Sequence, residues 1–170
     1  MFNKKMSLPK SIFLTVYLAI VSIPANALEK SRKKPEMPIN KLATQEEAKA
    51  LFDWAMVYLK INGRDKAYKA FNQVDGKFTH RDLYIFCLDY QKVWKVMGAN
   101  PSLVGNSAGD KRDLNGKDFV EDFLSIAKNS GVGTSNYTYK NPITGKEQLK
   151  TSFIMKVVEN EFCGMGYYNP

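Results

Sequence analysis

A chain of 170 residues, with 25 basic against 17 acidic side chains and a formal charge of +8, is long enough for one domain with a real core. Its positive balance is too modest to call for nucleic acid. With two cysteines, a single histidine, no C-x-x-C pair and no metal-ligand companion for His80, zinc sites and thioredoxin-type chemistry are disfavoured. No Ser-His-Asp set or acid pair stands in a recognisable motif, so no catalytic residue and no cofactor are expected.

The chain begins with positive charge at Lys4, Lys5 and Lys10, followed by the apolar run Ile12 to Val21. Pro24 and the small-residue pattern Ala25-Asn26-Ala27 come next. Basic, apolar and A-x-A regions in this order predict a secretory signal peptide over residues 1–27, cleaved after Ala27. The apolar stretch is shorter than the roughly 20 residues of a membrane-spanning helix; an uncleaved anchor is the competing reading. No cysteine stands directly after the cleavage point, which disfavours a lipoprotein. Export places the mature chain in the periplasm, an oxidising compartment, where the even pair Cys87 and Cys163 suggests a disulfide. Residues 28–43 are rich in Lys, Arg and Pro and read as a solvated tether, with contact to anionic lipid as the alternative.

Residues 44–170 read as one domain. Thr44-Gln45-Glu46-Glu47 is a capping box, and Ala48, Leu51, Phe52, Ala55 and Leu59 recur at helical spacing up to Asn62-Gly63. A shorter helix holds Ala67, Ala70 and Phe71. Leu83 to Leu88 is almost wholly apolar, which predicts a strand buried on both faces. Asp89-Tyr90-Gln91 turns the chain into a second strand, Lys92 to Met97. The Gly-rich segment from Gly98 to Gly116 is long enough to suggest a functional loop. Asp118 caps a helix carrying Phe119, Val120, Phe123, Leu124 and Ala127. Strands follow over Thr134–Tyr139, Leu149–Val158 and Phe162–Tyr168, with turns at Asn141–Gly145 and Glu159–Glu161. The order α-α-β-β-α-β-β-β, with short turns between strands, favours an α+β fold built on an antiparallel sheet.

Taken together, several segments carry a resemblance: Asp82-Leu83-Tyr84-Ile85-Phe86, Gly98-Ala99-Asn100-Pro101-Ser102-Leu103-Val104-Gly105, Asp113-Leu114-Asn115-Gly116-Lys117-Asp118-Phe119-Val120, Asn141-Pro142-Ile143-Thr144-Gly145-Lys146, Lys150-Thr151-Ser152-Phe153 and Gly164-Met165-Gly166-Tyr167-Tyr168. Each is weak alone. In this order, over about residues 43 to 168, they make the chain resemble the single-Cache sensory domains of bacteria, which are PAS-like. The resemblance implies a five-stranded antiparallel sheet with a long N-terminal helix and a short helix-loop segment covering the pocket. It also implies that the first and last strands lie side by side, which would pair Cys87 with Cys163. Family members bind small organic molecules, commonly short carboxylates or amino acids. Two departures stand out: Met97 replaces a frequent His, and Thr134 to Lys140 replaces a Trp-x-Asp-Tyr-x-Trp-Pro strand.

Carboxylate recognition needs a fixed cation and donors in a mostly apolar hollow. Lys150, matching the Lys of the family's Lys-x-Ser-Tyr pattern, is the expected cation; a solvated surface lysine is the competing reading. Tyr137 and Tyr139, two apart and so on one strand face, are expected to donate hydroxyls, against plain aromatic packing. Trp94 and Met97 would form an apolar wall, Ser152 a further hydroxyl, and Arg112 in the Gly-rich loop a second cation. The expected function is extracytoplasmic binding or sensing of a small organic acid or amino acid, without catalysis. The alternative is a non-enzymatic accessory subunit docking on a membrane receptor or kinase. With the chain ending at Pro170, the reading expects a partner of that kind to carry any signal onward.

Overall fold

The computed structural model describes residues 33–36 and 42–169. The signal peptide expected over residues 1–27, and most of the tether, lie outside the described residues. Helix α1 spans Gln45–Asn62 and opens with the predicted capping box: Glu47 N–H donates to Thr44 Oγ1 at 3.2 Å and Thr44 N–H to Glu47 Oε2 at 2.8 Å. Gly63, at φ +77°, ends α1 and lets the chain turn at once into α2, Arg64–Phe71. The apolar stripes of both helices, Ala48, Leu51, Phe52 and Ala55 with Ala67 and Phe71, are buried against the sheet.

The strands are β1 (Ile85–Asp89), β2 (Trp94–Met97), β3 (Val132–Lys140), β4 (Glu147–Val158) and β5 (Glu161–Tyr168). They form a single antiparallel sheet in the order β2-β1-β5-β4-β3. Between β2 and β3 run a short 3-10 turn, Pro101–Leu103, and helix α3, Phe119–Asn129, capped by Asp118, which accepts from Glu121 N–H at 2.9 Å. The predicted order of elements is the observed one. Strand β2 starts two residues later than its apolar pattern suggests. The reason is Asp89, whose Oδ1 accepts from Gln91 and Val93 N–H and so extends the turn.

Alternation along each strand divides the side chains between two apolar clusters. Leu83, Ile85, Cys87, Cys163 and Met165 pack under α1 and α2. Tyr84, Phe86, Leu88, Ile154 and Phe162 point the other way, toward α3 and the long loop. Strand β1 is therefore buried on both faces, as its unbroken apolar run predicts. On the helix side, Cys87 lies directly opposite Cys163 and the two form a disulfide, fully buried. Beyond it, the buried Glu161 carboxylate takes two hydrogen bonds from Arg64, at 3.0 and 2.6 Å, and one from Tyr68 at 2.7 Å. This bidentate, charge-assisted clamp fastens α2 to the start of β5.

Candidate ligand-binding site

The α3-facing side of the sheet holds the unusual group. Lys150, on β4, is paired in register with Tyr137 of β3 and Tyr168 of β5. Its inward position follows from the alternation that also buries Ser152 and Ile154. The side chain is 1% exposed. Lys150 Nζ donates to Tyr84 Oη at 2.8 Å and to Tyr168 Oη at 3.5 Å, and lies 4.2, 4.7 and 5.6 Å from the ring centres of Tyr84, Tyr168 and Tyr139. The Tyr168 hydroxyl in turn donates a hydrogen bond to the Lys140 carbonyl at 2.8 Å. Lys150 thus sits in a cage of tyrosines, and no carboxylate among the described residues forms an ion pair with it.

Burial pulls the Lys150 ammonium down to about 7, with the more distant charge of Asp82 acting the other way. Burial also pushes the hydroxyls of Tyr84, Tyr137, Tyr139 and Tyr168 upward, so all four stay neutral. Rings and hydroxyl dipoles stabilise a cation, yet less than an anion in contact would. Asp82 is fully buried: its Oδ1 accepts from Ala43 N–H at 2.9 Å, and its Oδ2 has no hydrogen-bond partner among the described residues.

Beside the cage, Tyr137 Oη and Ser152 Oγ are joined at 2.9 Å. Trp94, Met97, Tyr137 and Tyr139 border a common hollow together with Tyr84 and Phe119. That hollow measures about 10 Å³, close to the smallest space that holds one water. Stacking fills the rest: Phe119 lies 4.6 Å from Tyr137, and Phe123 lies 5.1 Å from Tyr137 and 5.3 Å from Phe86. The structure accordingly brings Lys150, Tyr137, Tyr139, Ser152, Trp94 and Met97 to one place. Arg112 stands apart, exposed, with Nη1 donating to the Gly116 carbonyl at 2.9 Å.

Sequence reasoning missed Tyr84, Tyr168 and Asp82. Tyr84 shares a face with Phe86 by simple alternation, a signal that was present. Tyr168 reaches Lys150 only through the β4–β5 register, which no local pattern encodes.

Two glycines of β5 make room for this arrangement. A Cβ at Gly166 would collide with Lys150 Cε and Ser152 Oγ, and one at Gly164 with the Phe86 ring and the Phe153 carbonyl. Neither glycine has positive φ, so volume rather than backbone freedom selects it. Gly166→Ala is expected to cost about 1–3 kcal/mol in denaturant unfolding, because Lys150 and Ser152 cannot both keep their places.

The sequence matches the model of single Cache domain 2 over residues 39–162. The chain belongs to this Cache family. No curated protein sequence matches it significantly. Among solved structures, the Cache domain is similar to a methyl-accepting chemotaxis protein from Vibrio parahaemolyticus RIMD 2210633, with a TM-score of 0.60, 18% identity, and coverage of 73% of this chain and 87% of that one. A periplasmic sensor domain of a chemotaxis protein gives a TM-score of 0.53 at 21% identity, covering 74% and 90%. A Cache chemosensory domain described for carboxylic acid recognition gives 0.55 at 18% identity, covering 74% and 88%. At these identities the likeness concerns the fold: a five-stranded antiparallel sheet with helices.

Proposed function

We propose that this Cache domain binds a small organic anion, a short-chain carboxylate or the carboxylate of an amino acid, with Lys150 as its anchor. The observation that carries the reading is a fully buried lysine without a carboxylate in contact, whose ammonium lies against Tyr84 and Tyr139, two rings that border an aromatic hollow. A buried ammonium is costly unless paired, and a site that keeps one pays a stability cost that an anionic ligand would remove. Tyr84, Tyr168 and the Tyr137–Ser152 pair would supply neutral donors to the second carboxylate oxygen, and Trp94 with Met97 would pack against the ligand's short carbon chain.

The rings must part to admit anything larger than a water. The domain would work outside the cytoplasm, delivered by the leader over residues 1–27, as a sensing or solute-binding component without catalysis. A membrane receptor or kinase is the partner that would read its state. The related domain described for carboxylic acid recognition supports the choice of ligand class.

A thermal-shift screen of the mature protein against C2–C4 carboxylates and amino acids tests this. A true ligand at 100 times its dissociation constant should add about 2.7 kcal/mol of stability. Stabilisation by neutral or cationic compounds only, with every carboxylate inert, would overturn the assignment.

A further inference from the structure

We propose that the ligand reaches Lys150 from the β3 side of the domain, and that Tyr139 is the gate it passes. The proposal rests on Lys150 as the anion anchor and adds the route. Outside the site, between residues 111–114 and the β3–β4 hairpin, lies an open basin of about 280 Å³. Phe119 and Tyr139 form its inner wall, and the same two residues border the 10 Å³ hollow. The Tyr139 ring also lies 5.6 Å from Lys150 Nζ. Tyr139 is thus shared by the basin, the hollow and the lysine cage, and swinging it outward joins all three.

Its surroundings permit that swing. Tyr139 is half-buried, and its hydroxyl makes no hydrogen bond among the described residues. The ring is held by edge contacts to Phe119 at 5.7 Å and Tyr137 at 6.0 Å. A second cleft, of about 410 Å³, approaches the cage from the side of His80, Arg81, Ala99 and Pro142, and meets it at Tyr84. Tyr84 is 5% exposed and accepts the short hydrogen bond from Lys150. Passage there requires breaking that bond and moving a packed ring, whereas passage at Tyr139 breaks none.

Charge is compatible with this door. Lys111, Arg112 and Lys140 line the basin against Asp113 and Glu147. Asp113 is already engaged by the backbone N–H groups of Asn115, Lys117 and Thr138. The mouth therefore attracts anions, which gives the exposed Arg112 a place in the route rather than in the cage.

Acetylation of Lys150 by acetic anhydride, followed by mass spectrometry of the folded full chain near neutral pH, reads access directly. With an ammonium at about 7, Lys150 is more often uncharged than an ordinary lysine, so its labelling is limited by reach. If the open gate is a minor state of about 1–10%, Tyr139→Ala should speed labelling about 10- to 100-fold. Leu114→Trp, at a 74% exposed position in the basin, should slow it, and Ala99→Trp, obstructing the second cleft, should leave it unchanged. An unchanged rate in Tyr139→Ala, or slowing by Ala99→Trp, overturns the route. Should Tyr139→Ala not fold, the two surface variants decide by themselves. Failure of acetate and its longer homologues to protect Lys150 would count against the anion reading and leave the gate intact.

Discussion

Lys150→Met is expected to make the empty domain more stable and, at the same time, to weaken binding of its anion by about 1.5–3 kcal/mol, the value of a charge-assisted hydrogen bond. The stability effect follows from the depressed ammonium. In the fold Lys150 titrates at about 7, against 10.5 for a free lysine. Between those values the unfolded chain holds a proton that the folded chain has lost. Stability therefore rises with pH across that window, and the burden of the buried charge is complete below it. The gain from Lys150→Met should accordingly be largest near pH 6 and should shrink toward pH 10, as read from denaturant unfolding at several pH values.

Binding has the opposite linkage. A carboxylate beside Lys150 favours the charged amine, so capture at about pH 8 should take up close to one proton per ligand. Calorimetry in buffers of different ionisation enthalpy measures that uptake. A variant that binds as tightly as wild type, or binding without proton uptake, would sink the charge-anchor idea.

The second large effect belongs to the disulfide. It closes a loop with a sequence separation of 76 between its ends. The chain-entropy model assigns such a loop about 4–5 kcal/mol of stability. Replacing Cys87 and Cys163 together by Ala should remove stability of that order in denaturant unfolding. The exported wild-type protein should resist thiol alkylation and begin at Leu28. Two alkylatable thiols in the native protein would contradict the cross-strand pairing, and a recovered chain still carrying Lys4 would mean an anchor rather than a leader.

Much of this architecture was legible before any coordinates. The capping box at Thr44–Glu47, the stripe on α1, the apolar run of β1 and the turn residues around Asn141 each act locally, so spacing alone reveals them. The cage was only half legible. Lys150, Tyr137, Tyr139 and Ser152 lie on two adjacent strands and share one alternation. Tyr84, just before β1, and Tyr168, on β5, are distant in sequence, and their meeting with Lys150 depends on how the strands are ordered and registered in the sheet. The near-absence of free volume was not legible at all. It depends on how Phe119, Phe123 and Tyr137 interleave, and composition does not encode the fit of rings across a sheet–helix interface.

The covalent link between β1 and β5 has a consequence for the opposite face of the same strands. Tyr84, just before β1, precedes Cys87 by three residues and Tyr168 follows Cys163 by five, so the bond on the helix side braces the strand pair beside the lysine's hydrogen-bonding partners. The sheet acts there as a caliper with its jaws locked: the β1–β5 ladder and the covalent bond across it hold the two strands together whatever lies against their opposite face. In the proposed binding mode, that half of the site is ordered during folding, and mainly the β3–α3 half would remain to be arranged around a ligand.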